Sequence, residues 1–345
     1  MLAAALFVLG GIGGCRSRAG AGSPDELALE ECDPAQLIPC ISQDAFAAIA
    51  VRDAGLYLTY SSRWANGVTG TRPWDVSALG LGGWSLNAVQ RYDALRHVLY
   101  RGDGTWRITP SVPLPGGGYA VPTFDGSEAF VFDAAGRHVR TVDARLGTTL
   151  LTIAYDSAGR LSRVDGKRDT VPVHVVVERS QDGVARALVG IDGGTTALAI
   201  DPRGQLVRTT APAGDATRVA WDSAGRVTSL TDPLGASIRY GYDRSGRLAR
   251  VVDADSVAEQ YEGTRSPDRV ELRVSTTLGR HWTYRTESIG DSMRRTFVDR
   301  DGTETSETVD GQGGQTLRLA DGTRFTVGAR AHPVLGMAAP ISWER

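Results

Sequence analysis

"ATRVAWDSAGRVTSLTDPLG" (216–235) decides the fold. In its first part Thr217, Val219 and Trp221 fall on one side of an extended chain, and Arg218 and Ala220 on the other. That period of two predicts a half-buried strand. Asp222-Ser-Ala-Gly225 follows. An Asp at the first turn position can accept from the backbone two residues on, and Gly at the fourth tolerates positive φ. "RVTSL" (226–230) predicts a return strand, and Asp232-Pro-Leu-Gly235 a second turn with φ fixed by Pro233.

The unit recurs. "FDAAGRHVRTVD" starts at Phe132, "YDSAGRLSRVDG" at Tyr155 and "YDRSGRLARVVD" at Tyr242. "IDPRGQLVRT" from Ile200 carries Gln205 where the others have Arg, and "RSQDGVARAL" from Arg179 carries Ser180 in the Asp place. The six Asp or Ser positions are 133, 156, 180, 201, 222 and 243, spaced by 23, 24, 21, 21 and 21. A near-constant period marks a repeat architecture. The expected fold is all-β: a spiral antiparallel sheet of repeat hairpins, clearest over 130–255. The pairs Asp133/Gly136, Asp156/Gly159, Asp201/Gly204, Asp222/Gly225 and Asp243/Gly246 then read as structural turn residues, with positive φ expected at Gly159, Gly225 and Gly246. A catalytic carboxylate is not expected at six equivalent places.

The 345 residues carry a net charge of −2 and 42 glycines. No basic patch interleaved with aromatics suggests nucleic acid. No nucleophile–base set, phosphate loop or metal-ligand spacing stands out, and the five His (97, 138, 174, 281, 332) are scattered. The expectation is a protein that is not an enzyme and needs neither cofactor nor metal. Arg101-Gly102-Asp103 is an adhesion-type tripeptide, but the glycines around Asp103 also read as a hairpin turn. Trp64, Trp74, Trp84 and Trp106 crowd one region, either as a sugar-stacking platform or as core.

The N-terminus reads separately. "MLAAALFVLGGIGGC" is an apolar run, then small residues, then Cys15. It is too short to span a bilayer and looks like an export signal. Ile12-Gly-Gly-Cys15 resembles the bacterial lipoprotein cleavage box, although no Lys or Arg precedes the apolar run. The resemblance implies a signal peptide at 1–14 and a lipid on Cys15, hence a membrane partner and a place in the bacterial cell envelope, at the outer membrane or cell surface. A plain secretory signal is the alternative. With Cys15 lipidated, Cys32 and Cys40 are left as an even pair that can close a disulfide loop in an oxidising compartment. Residues 15–50 are assigned to the lipidated Cys and a flexible tether, and 51–345 to the repeat domain.

"LYLTYSSRWANG" (56–67), "LGLGGWSLNAVQRYDALRHVLYRGDGTWR" (79–107), "FVFDAAGRHVRTVDARLGTTLLTIAYDSAGRL" (130–161) and "DGTRFTVGARAHPVLGMAAPI" (321–341) resemble the RHS/YD-repeat family, in particular the bacterial teneurin-like YD shell. The resemblance covers about residues 55–341. It implies a spiral sheet that builds a hollow shell, which in complete members encloses a C-terminal toxin or effector. The family's core segment and a toxin domain have no counterpart here, so an open or partial shell is expected. Two roles follow. One is a non-enzymatic surface lipoprotein whose repeat sheet is a scaffold or interaction module for a carbohydrate or protein partner. The other is the N-terminal shell fragment of a polymorphic-toxin RHS protein.

Overall fold

The structure is a computed structural model that describes residues 43–51, 56–62, 79, 81–123, 126–168, 170–310, 314–332 and 336–344. Its regular elements are strands. They begin with a small sheet of β1 (Phe46–Ala50), β2 (Tyr57–Ser61) and β3 (Trp84–Leu86). A second small sheet holds β4 (Arg91–Asp93), β5 (Val98–Tyr100) and β6 (Trp106–Ile108). The remaining strands, from β7 (Val112–Pro113) to β28 (Gly336–Glu344), pair antiparallel in chain order as one long sheet. That sheet bends round until β28 lies beside β8 (Tyr119–Pro122). The all-β spiral antiparallel sheet expected from the repeats is therefore the architecture, in the form of a partial shell.

Part of the inner face of the curl is covered by the chain's own strands. One apolar cluster joins Ala47, Ile49, Leu58, Tyr60, Trp84 and Leu86 of β1–β3 to the inner face of the long sheet, including Val164, Val175, Val219, Val227 and Ile238. Residues 43–50, placed in the tether by sequence, belong to the folded part: Ala45 is fully buried and β1 packs into this core. Alanine and isoleucine at alternate positions give β1 one apolar face, and burial on the scale of ~25 cal/mol per Å² favours covering it.

Each repeat unit is built the same way. In β17 (Ala216–Trp221) Val219 is buried and Arg218 and Ala220 are exposed. Its ladder with β18 (Val227–Thr231) shifts register between Ala220 and Trp221. Asp222 Oδ1 then accepts from the backbone N–H of Ala224 and Arg226, both at 2.9 Å, and Oδ2 from Arg226 Nε at 2.7 Å. Asp133 and Asp156 hold Arg137 and Arg160 in the same grip. Asp201 and Asp243 accept from the backbone two and four residues on.

The turn glycines take the conformation the motif requires. Gly225 closes its turn at φ 79°, donating to Asp222 O. Gly136, Gly159, Gly204 and Gly246 close theirs at φ 75°, 76°, 80° and 86°, donating to the carbonyls of Asp133, Asp156, Asp201 and Asp243. Two of them also make room for the unit before. A Cβ on Gly159 would meet Arg137 Nη1 at 3.1 Å, and one on Gly246 would meet Arg226 Nη1 at 3.1 Å.

The aromatic residue before the Asp ties one unit to the one before. Tyr155 Oη donates to His138 O, Trp221 Nε1 to Leu206 O and Tyr242 Oη to Val227 O, at 2.7–2.9 Å. Each acceptor is the first residue of the preceding return strand. The preceding unit's Arg completes the joint. Arg137 lies 5.3 Å from the Tyr155 ring centroid, and Arg226 4.6 Å from that of Tyr242. A guanidinium over an aromatic face is attracted by the ring quadrupole.

His138 locks the second small sheet to the long one. It is fully buried between Phe130 and Phe132. Its Nδ1 accepts from Gln90 N at 3.3 Å, and its Nε2–H donates to Arg140 O at 2.9 Å. Beside it, Tyr92 N donates to Gly136 O, and a Cβ on Gly136 would meet Tyr92 O at 2.0 Å. Only glycine allows that approach.

Two outcomes are expected. Gly225→Val puts a β-branched side chain at positive φ and costs on the order of 1–3 kcal/mol in a thermal melt. Asp222→Asn keeps an acceptor for the turn and costs less. Equal costs would show that the turn does not depend on this geometry. Burial lowers the His138 pKa to about 3, from an ordinary 6.5. Because the unfolded state takes up the proton first, the resulting stability is whole above pH 6.5 and is lost as pH falls toward 3. The loss amounts to at most roughly 5 kcal/mol. Denaturant titrations across that range should show a shallower acid limb for His138→Asn, even if the variant is weaker at neutral pH.

Candidate functional site

The repeat residues singled out by sequence lie in turns along the sheet. Their carboxylates point back to their own backbones rather than converging on a reaction centre. Gly136, Gly159, Gly204, Gly225 and Gly246 likewise turn their N–H groups to the carbonyl that opens their own turn, so none is aimed at a ligand. Among the described residues no three His, Cys, Asp or Glu are grouped to hold a metal. Cys15, Cys32, Cys40, Trp64 and Trp74 lie outside the described residues.

The other sequence candidates are inside the fold. Trp84 and Trp106 are fully buried, so neither offers a ring face to a ligand. Trp84 instead stacks at a tilt on Tyr60, centroids 5.5 Å apart. Arg101-Gly102-Asp103 forms the turn between β5 and β6, with Gly104 N donating to Arg101 O. Gly102 is buried, its N–H donating to Gln90 Oε1 and its carbonyl accepting from Ser85 Oγ and Thr59 Oγ1. A tripeptide pinned in this way cannot project as an adhesion loop does.

The most specific assembly of side chains is the socket where the N-terminal strands meet the inner face. Leu248 N donates to Gln43 O at 2.7 Å, Tyr240 Oη to Phe46 O at 3.1 Å and Val227 N to Tyr60 Oη at 3.0 Å. The Tyr60 ring meets Trp221 edge-on, 5.7 Å between centroids. Desolvation raises the phenol pKa of Tyr60, Tyr240 and Tyr242, so all three stay neutral hydrogen-bonding groups. Arg179 adds a fourth tie, donating to Leu79 O at 3.2 Å as well as to Leu161 O at 3.0 Å. It occupies the place that Tyr155, Trp221 and Tyr242 fill in their units, and it reaches the equivalent carbonyl. Burial and the neighbouring Arg160 lower its pKa. Aligning the repeats would have singled out Arg179 as the cation in an aromatic column. Tyr60 and Gln43 carry no such signal, because their partners lie far along the chain.

Comparison with known proteins agrees with the repeat reading. The RHS Repeat family model matches residues 201–237 and 221–258. No curated protein matches the chain. Similar solved structures include the Photorhabdus luminescens Tc holotoxin pore with the TccC3-D651A mutation, 14% identical over 87% of this chain and 21% of that chain, TM-score 0.35. The TcdB2-TccC3-Cdc42 structure is 12% identical over 85% of this chain and 18% of that chain, TM-score 0.33. TcdB2-TccC3 is 13% identical over 84% and 20%, TM-score 0.30. This chain thus spans about a fifth of the length of those chains. With the Asp-x-x-Gly-Arg turns, the aromatic joints between units and the family match over the most regular of them, the chain carries RHS, or YD, repeats.

Proposed function

We propose that this RHS-repeat protein is a non-enzymatic cell-surface lipoprotein whose sheet serves as a scaffold or interaction module. The observation that carries the reading is that the chain's own strands cover part of the inner face. The β1–β3 strands occupy the inner face and are hydrogen-bonded to it. A toxin-shell fragment would depend on a hollow inner face to hold cargo. A sheet whose inner face is covered in this way leaves its outer face and rims for contact, which suits a module that binds a carbohydrate or protein partner.

In this reading Cys15 carries the lipid and holds the sheet at the bacterial outer membrane or cell surface. One acyl chain binds a membrane only marginally, whereas two or more hold it stably. The diacylglycerol and amide-linked chain of a lipoprotein meet that condition, and no cofactor is required.

Fractionation and proteinase treatment of intact cells test this. The wild-type chain should enter the membrane fraction with a lipid-modified Cys15 and be cleaved from outside. Cys15→Ser should abolish lipid labelling and move the exported chain to the soluble fraction. A wild-type chain that is soluble and unmodified at Cys15 overturns the anchor. One that stays protected in intact cells overturns the surface role.

A further inference from the structure

Ile200 stands where other units carry a ring. Tyr155, Trp221 and Tyr242 each precede their turn's Asp, and Ile200 precedes Asp201 in the same way. The residue that covers the ring has changed too. Arg137 lies over Tyr155 and Arg226 over Tyr242, whereas the unit before Ile200 has Val184 in the Arg place. Ser180 in that unit also replaces the Asp that grips the Arg elsewhere. Ring, cover and grip are thus missing together.

The acceptor of the joint is retained. Trp221 and Tyr242 donate to carbonyls 15 residues back, Leu206 O and Val227 O. The same 15 residues before Ile200 stands Ala185, which opens β14 (Ala185–Gly190). An isoleucine side chain has no polar atom, so it offers Ala185 O no donor. Space opens at this place. A cavity of about 920 Å³ lies between the two units, with Val184 and Ala185 on one side and Leu198 and Ile200 on the other. Val184 is exposed there, apolar surface that a ligand would cover favourably. Arg160 and Arg179 line the wall toward the preceding unit, both donating through Nη1 to Gly183 O at 3.2 Å. Arg186 adds a third cation, and Asp182 and Asp201 add two carboxylates. This near balance gives a strongly charged ligand no advantage, while guanidiniums attract the face of an aromatic ring.

We propose that this cavity binds a phenol or indole ring, seated where the repeat's own ring is missing and donating its O–H or N–H to Ala185 O. The ring replaces what Tyr155, Trp221 and Tyr242 supply in their units. Its flat body covers Val184 and Ile200, and its polar edge meets the one class of partner this joint is built to accept. A ring of this chemistry comes either as a small molecule or as a tyrosine or tryptophan side chain of a bound peptide. The site lies within the sheet and needs neither Cys15 nor a place on the cell surface, so it stands or falls apart from the lipoprotein reading.

Ligand-observed NMR titration of the purified full chain tests the site. The probes are p-cresol, 3-methylindole and the capped peptide acetyl-Gly-Tyr-Gly-amide, with toluene and acetyl-Gly-Phe-Gly-amide as partners lacking the donor. Each donor-bearing probe that binds should do so about fivefold more tightly than its donor-less partner, the worth of one hydrogen bond. A merely apolar cavity gives the opposite order, because toluene leaves water more readily than p-cresol. Ile200→Tyr supplies the ring from within the chain. It should abolish binding of all the probes and leave the melting temperature unchanged or raised. A peptide that binds about tenfold or more tighter than p-cresol identifies a protein side chain as the source, and equal or weaker binding identifies a small molecule. Failure of all three donor-bearing probes, equal or tighter binding of the donor-less ones, or unchanged binding by a folded Ile200→Tyr chain overturns the proposal. If Ile200→Tyr does not fold, the comparison of p-cresol with toluene on the unaltered chain decides by itself.

Discussion

The hydrogen bond from Tyr155, Trp221 and Tyr242 to the carbonyl that opens the preceding return strand sets much of the rest of the structure. Edge-to-edge ladders alone would allow a strand to slip by two residues and still bury the same face. The joint removes that freedom, because Trp221 Nε1 and Tyr242 Oη each reach one defined carbonyl. A register shift just before the aromatic, seen between Ala154 and Tyr155, Ala220 and Trp221, and Gly241 and Tyr242, turns the ring toward that carbonyl. Bulges of this kind also increase local twist. Repeated in these three units, they give the sheet a reason to curl. The motif's Asp and Arg belong to the same device: Asp222 holds Arg226 by its Nε, and Arg226 covers the ring of Tyr242.

Curling creates an inner face that water must leave, and the chain supplies its own filling. Val219, Val227 and Ile238 on that face are covered by β1–β3. Two of the polar groups brought in with those strands find partners on that face, Tyr60 Oη with Val227 N and Phe46 O with Tyr240 Oη. Further along the sheet the inner face turns polar, with Arg295 paired to Glu307 while fully buried. Such a pair contributes little net stability, but removing one partner would leave an uncompensated charge.

Much of this was legible in the sequence. Period, strand alternation and turn chemistry are local, and they gave the all-β repeat sheet and the roles of Asp222 and Gly225. Positive φ at Gly159 and Gly246 followed from the same reading, since each ends an identical turn. The rest depends on contacts between distant positions. "FAAIA" (46–50) has no turn signal or repeat partner, so its place in the core could not be read from its own residues. Trp84 and Trp106 were equally compatible with a platform and a core until the sheet around them was known.

The bond between Gln43 and Leu248 joins positions 205 residues apart. Hairpins close in microseconds, and units that contact only their neighbours can assemble outward from any point along the chain. The filling strands cannot follow that course. They leave the ribosome first, yet the surface they cover does not exist until the unit around Leu248 has been made and bent into place. Closing so long a loop is entropically costly and slow. The repeats are thus expected to zip first, and β1–β3, made before them, to dock afterwards.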